Sequence, residues 1–309
     1  MGRFLARRLA YSCVVLFAST LFIFGLSRAA GDPRSMYLTE NLAGPEAWAA
    51  LGQEMGLDKP IVYQYGIWLR GALTGDFGRS LRHQRNAMEL VAERLPATAQ
   101  LAAGAFAFTI LIGLPLGVLS ASKRGTAWDY VGRTFALLGQ SMPAFWLGIM
   151  LIILFSVYFH LLPTGRRGSI EHYILPSFTL GWAPSAGLLR FVRASMLEVL
   201  EAEFMTLARA KGVKKWPLLW KHAFRNALIA PLTYAGLLLG AFLTGTVVVE
   251  TVFQWPGLGR LAVTAVLDND FPVLAATMTT FVAIYVGLAL LIDILYAYVD
   301  PRIKYQTDA

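Results

Sequence analysis

The sequence predicts an all-α integral membrane protein with six membrane-spanning helices and an external helical insertion after the first. Composition is the first ground: 56% of the 309 residues are apolar and only 15% are charged, where soluble domains carry about a quarter charged. The second is a set of charge-free runs at 9–27, 95–122, 134–165, 172–189, 226–249 and 271–292. Each meets or approaches the roughly 20 apolar residues that a spanning helix needs. The third is charge asymmetry. If the N-terminus is cytosolic and the runs alternate, the cytosolic segments hold most of the Lys and Arg, while the two short external loops hold only Arg166, Arg167 and Arg260. The net charge of +8 therefore reads as topology, with no sign of nucleic-acid binding.

The elements follow in order. Backbone groups in lipid must bond internally, so the runs are expected to be helices. Arg3, Arg7 and Arg8 precede the first run as in a secretory signal. Yet the run is long for a signal core and further runs follow, which favours a first spanning helix. Segment 29–94 mixes both charge signs with Gly, Pro and aromatics. Within it, Pro45 to Trp48 looks like a helix start, and Asn86 followed by Glu89 fits a capping box. Its apolar residues are too few for an independent core, so it is expected to pack on the membrane part. Pro115 and Pro143 should kink their helices. Pro176 and Pro184 interrupt the fourth run, the weakest of the set. The resulting division is 1–28 for the N-terminal tail and first span, 29–94 for the external insertion, 95–298 for a core with five spans, and 299–309 for a cytosolic tail.

Within the core, the cytosolic loop 195–226 is the most informative stretch. It reads as two short helices broken at Gly212, where the reversal favours a left-handed backbone. Leu200, Phe204, Leu207 and Lys211 follow helical spacing in the first. In the second, Pro217 suits a first helical position, and Trp216, Trp220 and Phe224 share a face beside Lys214, Lys215, Lys221 and Arg225. Trp with Lys is an interfacial combination. On pattern alone, a basic loop that only fixes topology explains the stretch equally well.

Several chemistries are missing. There is no phosphate-cradling G-x-x-x-x-G-K-[ST] loop, no H-E-x-x-H and no G-x-S-x-G. Ser141, between Gln140 and Met142-Pro143, reads as a helix-packing residue. Gln140, Ser141 and Pro143 are nonetheless candidates for lining a path, since a proline frees a carbonyl in the third span; a packed kink is the competing reading. The single cysteine, Cys13, permits no internal disulfide, and His160 and His172 at one external loop are too few for a convincing metal centre. No run carries an ionisable residue between its ends, with Glu250 and Asp293 placed at water-accessible boundaries. This weakens proton coupling, leaves sodium coupling through carbonyls and hydroxyls open, and points to an energy source outside the chain.

A series of motifs carries a family resemblance. It runs from Arg3-Phe4-Leu5-Ala6-Arg7-Arg8 and Ala30-Gly31-Asp32-Pro33 through Gly75-Asp76-Phe77-Gly78-Arg79-Ser80 and Glu93-Arg94-Leu95-Pro96-Ala97-Thr98. It continues at Ala208-Arg209-Ala210-Lys211-Gly212, His222 to Ala227, Trp255-Pro256-Gly257-Leu258-Gly259 and Asp300-Pro301-Arg302. Together these resemble the B-type permease subunits of bacterial dipeptide, oligopeptide and nickel ABC importers, over nearly the whole chain. The resemblance implies type I importer architecture in the bacterial inner membrane, with both termini cytosolic. It implies a second, C-type permease, two cytosolic ATPases that bind ATP and magnesium, and an external solute-binding protein; this chain itself would be no enzyme and hold no cofactor. It also implies that Glu203, Thr206, Leu207, Ala208, Arg209, Ala210, Lys211 and Gly212 form the loop that couples to an ATPase. The chain departs from the general E-A-A pattern at Thr206 and Leu207, so Glu201 or Glu203 would stand in for the leading glutamate. Di- or oligopeptides are the expected cargo. A nickel chelate or other solute in the same family, a sodium-coupled carrier and an intramembrane enzyme are the alternatives.

Overall fold

The computed structural model describes residues 2–29, 34, 44–54, 56–80 and 82–299. The expected tail from 300 onward and the motif at 30–33 lie outside these. Among the described residues the structure is helical apart from one isolated antiparallel bridge between Arg79 and Asn86. The helices are α1 (Gly2–Ala29), α2 (Pro45–Glu54), α3 (Ile61–Leu73), α4 (Ala87–Ser122), α5 (Ala127–Ser141), α6 (Ala144–Leu151), α7 (Glu171–Glu201), α8 (Glu203–Ala210), α9 (Lys215–Pro217), α10 (Arg225–Ala227), α11 (Ile229–Val252), α12 (Leu258–Leu267) and α13 (Phe271–Val299). Wider π-helical turns extend α6 over Ile152–Tyr158 and join α9 to α10 over Leu218–Phe224.

Among the described residues, three helices are long and apolar enough to cross a membrane: Ala6–Ala29, Ala87–Ser122 and Phe271–Ile294. Two bent pairs raise the number to five if each is one span, Ala127–Ser141 with Ala144–Tyr158 at 106°, and Ala230–Phe242 with Gly245–Val252 at 55°. The fourth expected run, 172–189, lies in α7 and does not qualify, so six spans are not established by length and composition. The reason is visible in α7 itself. Pro176, Ser177, Thr179, Gly181, Pro184, Ser185 and Gly187 lower its apolarity, and all but Pro184 are buried against neighbouring helices. Between membrane helices, small and weakly polar residues serve close packing where bulk hydrophobicity gives no drive. The prolines do not divide it: α7 is one helix, and α4 likewise runs through Pro96 and Pro115. Pro143 instead falls at the sharp break between α5 and α6.

The chain forms two compact units, 1–98 with 256–309, and 99–255; the division falls inside α4. In the first, α1 packs along α13, with an Arg8–Asp293 ion pair at 3.0 Å. An aromatic ladder of Phe17, Phe24, Tyr65, Trp68 and Phe77 ties α1 to α3 and to the loop after it, and Thr20 Oγ1 lies 2.9 Å from the Tyr65 hydroxyl. Among the described residues, the segment between α1 and α4 packs on α1, α4, α12 and α13. Its Phe77 joins Ala87 and Val91 of α4 and Leu258, Val273 and Ala276 of α12 and α13. Polar contacts fix the same junction: Ser80 Oγ donates to the buried Asp270 at 2.5 Å, and Arg82 pairs with Asp268. Asn86 caps α4 by accepting from the Met88 N–H at 2.8 Å, while Glu89 turns to Arg85.

In the second unit α7 is central. Gly113 and Gly117 of α4, one helical turn apart, let α7 approach so closely that a Cβ on Gly117 would lie 2.6 Å from Val192 and 2.9 Å from the Leu189 carbonyl. A Cβ on Gly139 of α5 would meet Ala186 at 2.3 Å. Val118, Leu188, Val192 and Met196 continue this packing into Met205, Ala208, Leu218 and Ala223, so the helices after α7 share its core.

Candidate functional site

The segment from α7 to α10 is built by a local stop and a local reversal. α7 ends at Glu201, Ala202 takes an extended conformation, and α8 restarts at Glu203. This break puts Leu200 on a different helix from Phe204 and Leu207, so the expected single stripe is split. At its far end α8 closes with Gly212 at φ +75. The Gly212 N–H reaches the Arg209 carbonyl at 3.0 Å and the Val213 N–H reaches the Ala208 carbonyl at 3.2 Å, the paired bonds of a Schellman reversal. The left-handed glycine expected from the sequence is present. An added Cβ there meets nothing within 4 Å, so within this chain the requirement is conformational and not one of space.

The two faces of α8 differ. Met205 and Ala208 point into the core, fully and almost fully buried. Phe204 and Leu207 are 46% and 57% exposed, and Glu203, Thr206, Arg209, Ala210, Lys211 and Gly212 are exposed with them. Of the residues expected to form the coupling loop, Ala208 is therefore the one turned into the core. Arg209 donates to the Leu200 carbonyl at 2.9 Å and holds α8 against the end of α7. After the turn, Trp216, Trp220 and Phe224 pack in sequence, tilted and then edge-to-face, with ring centroids 5.5 and 5.1 Å apart, on one face as their spacing indicated. Lys214, Lys215, Lys221 and Arg225 are exposed around them.

Sequence reasoning missed a second cluster. α5 begins at Ala127, ahead of the apolar run that opens at 134, and α7 continues beyond the run that ends at 189. Asp129 in the first turn of α5, Arg133 one turn on, and Arg190 and Arg193 of α7 thus lie on helices that continue past the apolar runs, which themselves hold no charge. Asp129 is 2% exposed. Its carboxylate accepts from Arg193 Nε at 2.9 Å and Nη2 at 3.2 Å, from Ser120 Oγ at 2.8 Å and from the Gly125 N–H at 3.1 Å. A bidentate guanidinium plus two further donors is the arrangement that makes a buried carboxylate tolerable. It clasps the α4–α5 turn to the half of α7 that leads into α8. Outside it, Arg124 pairs with Glu201 at 2.7 Å. The available signal was the amphipathic stretch Trp128, Tyr130 and Val131, which extends the third run backward by two turns. Glu250, expected at a water-accessible boundary, is fully buried and partnered.

The path candidates separate. Gln140 accepts a hydrogen bond from Arg190 and lines a recess of about 330 Å³ with Arg133, Arg190 and Arg193. Ser141 is exposed but donates to the Leu137 carbonyl of its own helix at 2.9 Å, and Pro143 caps α6. No group of three or more metal-ligating side chains occurs among the described residues; His172 lies 3.1 Å from Ser169 Oγ.

Comparison with known proteins bears on these parts. The family described as binding-protein-dependent transport system inner membrane component matches residues 113–305, and its N-terminal counterpart matches 1–102. The glutathione transport system permease protein GsiC of Pectobacterium atrosepticum is 40% identical over 99% of this chain and 100% of its own length. GsiC of Escherichia coli strain K12 is 38% identical over the same shares. Among solved structures, an inward-facing form of the MetNI methionine ABC transporter superposes with a TM-score of 0.58 at 19% identity, covering 69% of this chain and 97% of that one. An amino acid ABC transporter with histidines gives 0.56 at 16%, over 68% and 94%. At these identities the structures speak for the fold.

Proposed function

This chain belongs to the family of binding-protein-dependent transport system inner membrane components, and from that premise we propose how it works and what it carries. It is a permease subunit of an ABC importer. It pairs with a second permease to enclose the translocation path, two cytosolic ATPases drive the pair with ATP and magnesium, and an external binding protein delivers the solute. The external segment 29–94 receives that protein, and both termini are cytosolic. The cargo is a small peptide-like solute, with glutathione the first to test, because permeases named for glutathione transport align with this chain end to end.

The observation that carries the mechanism is α8 with its turn. Phe204 and Leu207 stand exposed on a helix whose other face is locked into the core of α7. Seated in an ATPase cleft, α8 acts as a rigid lever, because Met205, Ala208 and the Arg209–Leu200 bond transmit its displacement to α7. The test is uptake by the complete importer in proteoliposomes containing ATP. Labelled glutathione or a dipeptide should enter only with ATPases and loaded binding protein present. Uptake of a nickel chelate alone would reassign the cargo, and uptake without ATPases would overturn the reading. Reporters after Thr307 and near Gln84 should lie on opposite sides of the membrane.

A further inference from the structure

The recess between α5 and α7 is lined on its polar side by donors only. Arg133, Arg190, Arg193 and Gln140 face it and no carboxylate does. The donor inventory is in surplus. Arg193 is committed to Asp129 and Ser120. Arg190 uses one N–H on the Gln140 oxygen, which occupies that acceptor and leaves the amide N–H₂ of Gln140 as a further donor. Arg133 has no ion-pair partner among the described residues, and both it and Arg190 are exposed. Ala136, Leu137 and Leu189 make the remaining wall apolar. Arg133 and Arg190 each flank an apolar run, 134–165 and 172–189, and of the three arginines only Arg193 is in an ion pair; basic side chains at the ends of membrane helices sit at the interface. The depth of the recess is marked independently. Trp128 and Tyr130, one to two turns away on α5, are exposed, with Lys123 lying 5.4 Å from the Trp128 ring centre; this is a headgroup-level combination.

We propose that this recess is an oxyanion site, in which Arg133, Arg190 and Gln140 bind a phosphate or carboxylate group while its apolar wall takes the attached hydrocarbon. Arg193, held by Asp129, sets the rigid side of the site. The geometry suits an anionic phospholipid headgroup, as basic pockets between membrane helices do generally, and the same chemistry would accept the carboxylate of a passing solute.

Arginine modification by phenylglyoxal tests the site without relying on transport. The complex purified with its partner subunits is placed in phosphatidylcholine vesicles, and modification of each arginine is read by peptide mass spectrometry. Arg133 and Arg190 should react in phosphatidylcholine and be protected when phosphatidylglycerol is included, with Arg225 protected much less. Protection by N-acetyl-alanine in phosphatidylcholine, with none from phosphatidylglycerol, would assign the site to solute carboxylates. Arg133→Gln should raise the phosphatidylglycerol needed for half-protection of Arg190 about fivefold, the share expected of one cation near a membrane surface. Three results would overturn the proposal: Arg133 and Arg190 unreactive from the start, unprotected by either anion, or protected no better than Arg225.

Discussion

α7 and α8 are adjacent in the chain and built on opposite terms. α7 is closely packed on the side facing α4 and α5: glycines there bring the helices into near-backbone contact, and a buried carboxylate is matched by a forked guanidinium. α8 is half enclosed, with Met205 and Ala208 in the core and Phe204 and Leu207 outside it. Fully burying an aliphatic or aromatic side chain is worth about 1.5–3 kcal/mol. The exposed pair on α8 is therefore stabilisation left unused in the isolated chain and available to a partner. Buried complementarity holds the scaffold, and α8 keeps an unfilled apolar face on a rigid support.

The contrast sets the expected size of mutational effects. The largest should come from Asp129→Ala, which leaves Arg193 as an uncompensated cation among packed helices and costs about 3–5 kcal/mol. The thermal midpoint of the purified chain and its yield in membranes should both fall. Replacing Arg193 by Met in the same chain should recover most of the loss, since removing both members of a buried pair is often near neutral. A single-variant effect no larger than that of an exposed ion pair would break the contrast.

Gly212→Val should act differently. A left-handed backbone costs an ordinary residue about 1–2 kcal/mol, and no neighbour is struck. The variant should still accumulate and assemble, but its stimulated ATP hydrolysis and uptake should fall about tenfold, the rate equivalent of that strain. Gly212→Asn should be milder, because Asn enters the left-handed region more readily. Equal stability loss with full uptake would leave the turn a structural feature only. The smallest effect belongs to Arg124→Ala. Its partner Glu201 and Arg124 itself are 68% and 63% exposed, so the change should stay within about 1 kcal/mol and shrink further in salt. A larger loss would place this pair with the buried clasp.

Legibility in the sequence followed the range of the interactions. Gly212, the Trp216–Trp220–Phe224 face and the cap at Asn86 depend on residues within one or two turns, and each is found where spacing indicated. The split of the stripe at Ala202 was not readable, because nothing in alanine signals an extended backbone. Ala208 looked like any other exposed position of α8 until Leu218 and Ala223 were seen to cover it.

By itself the sequence determined a helical membrane chain, the place of the reversal at Gly212 and the family. Those rest on composition, on local backbone preference and on a long ordered series of motifs. Tertiary structure alone decided that α7 is the central helix despite its low apolarity. It also decided that Asp129 meets Arg193, 64 residues away, and that Arg133, Arg190 and Gln140 converge on one recess. The physical reason is the same in each case. Small residues and charges acquire their energetic meaning from what packs against them, and a pairing across that distance leaves no period in the sequence.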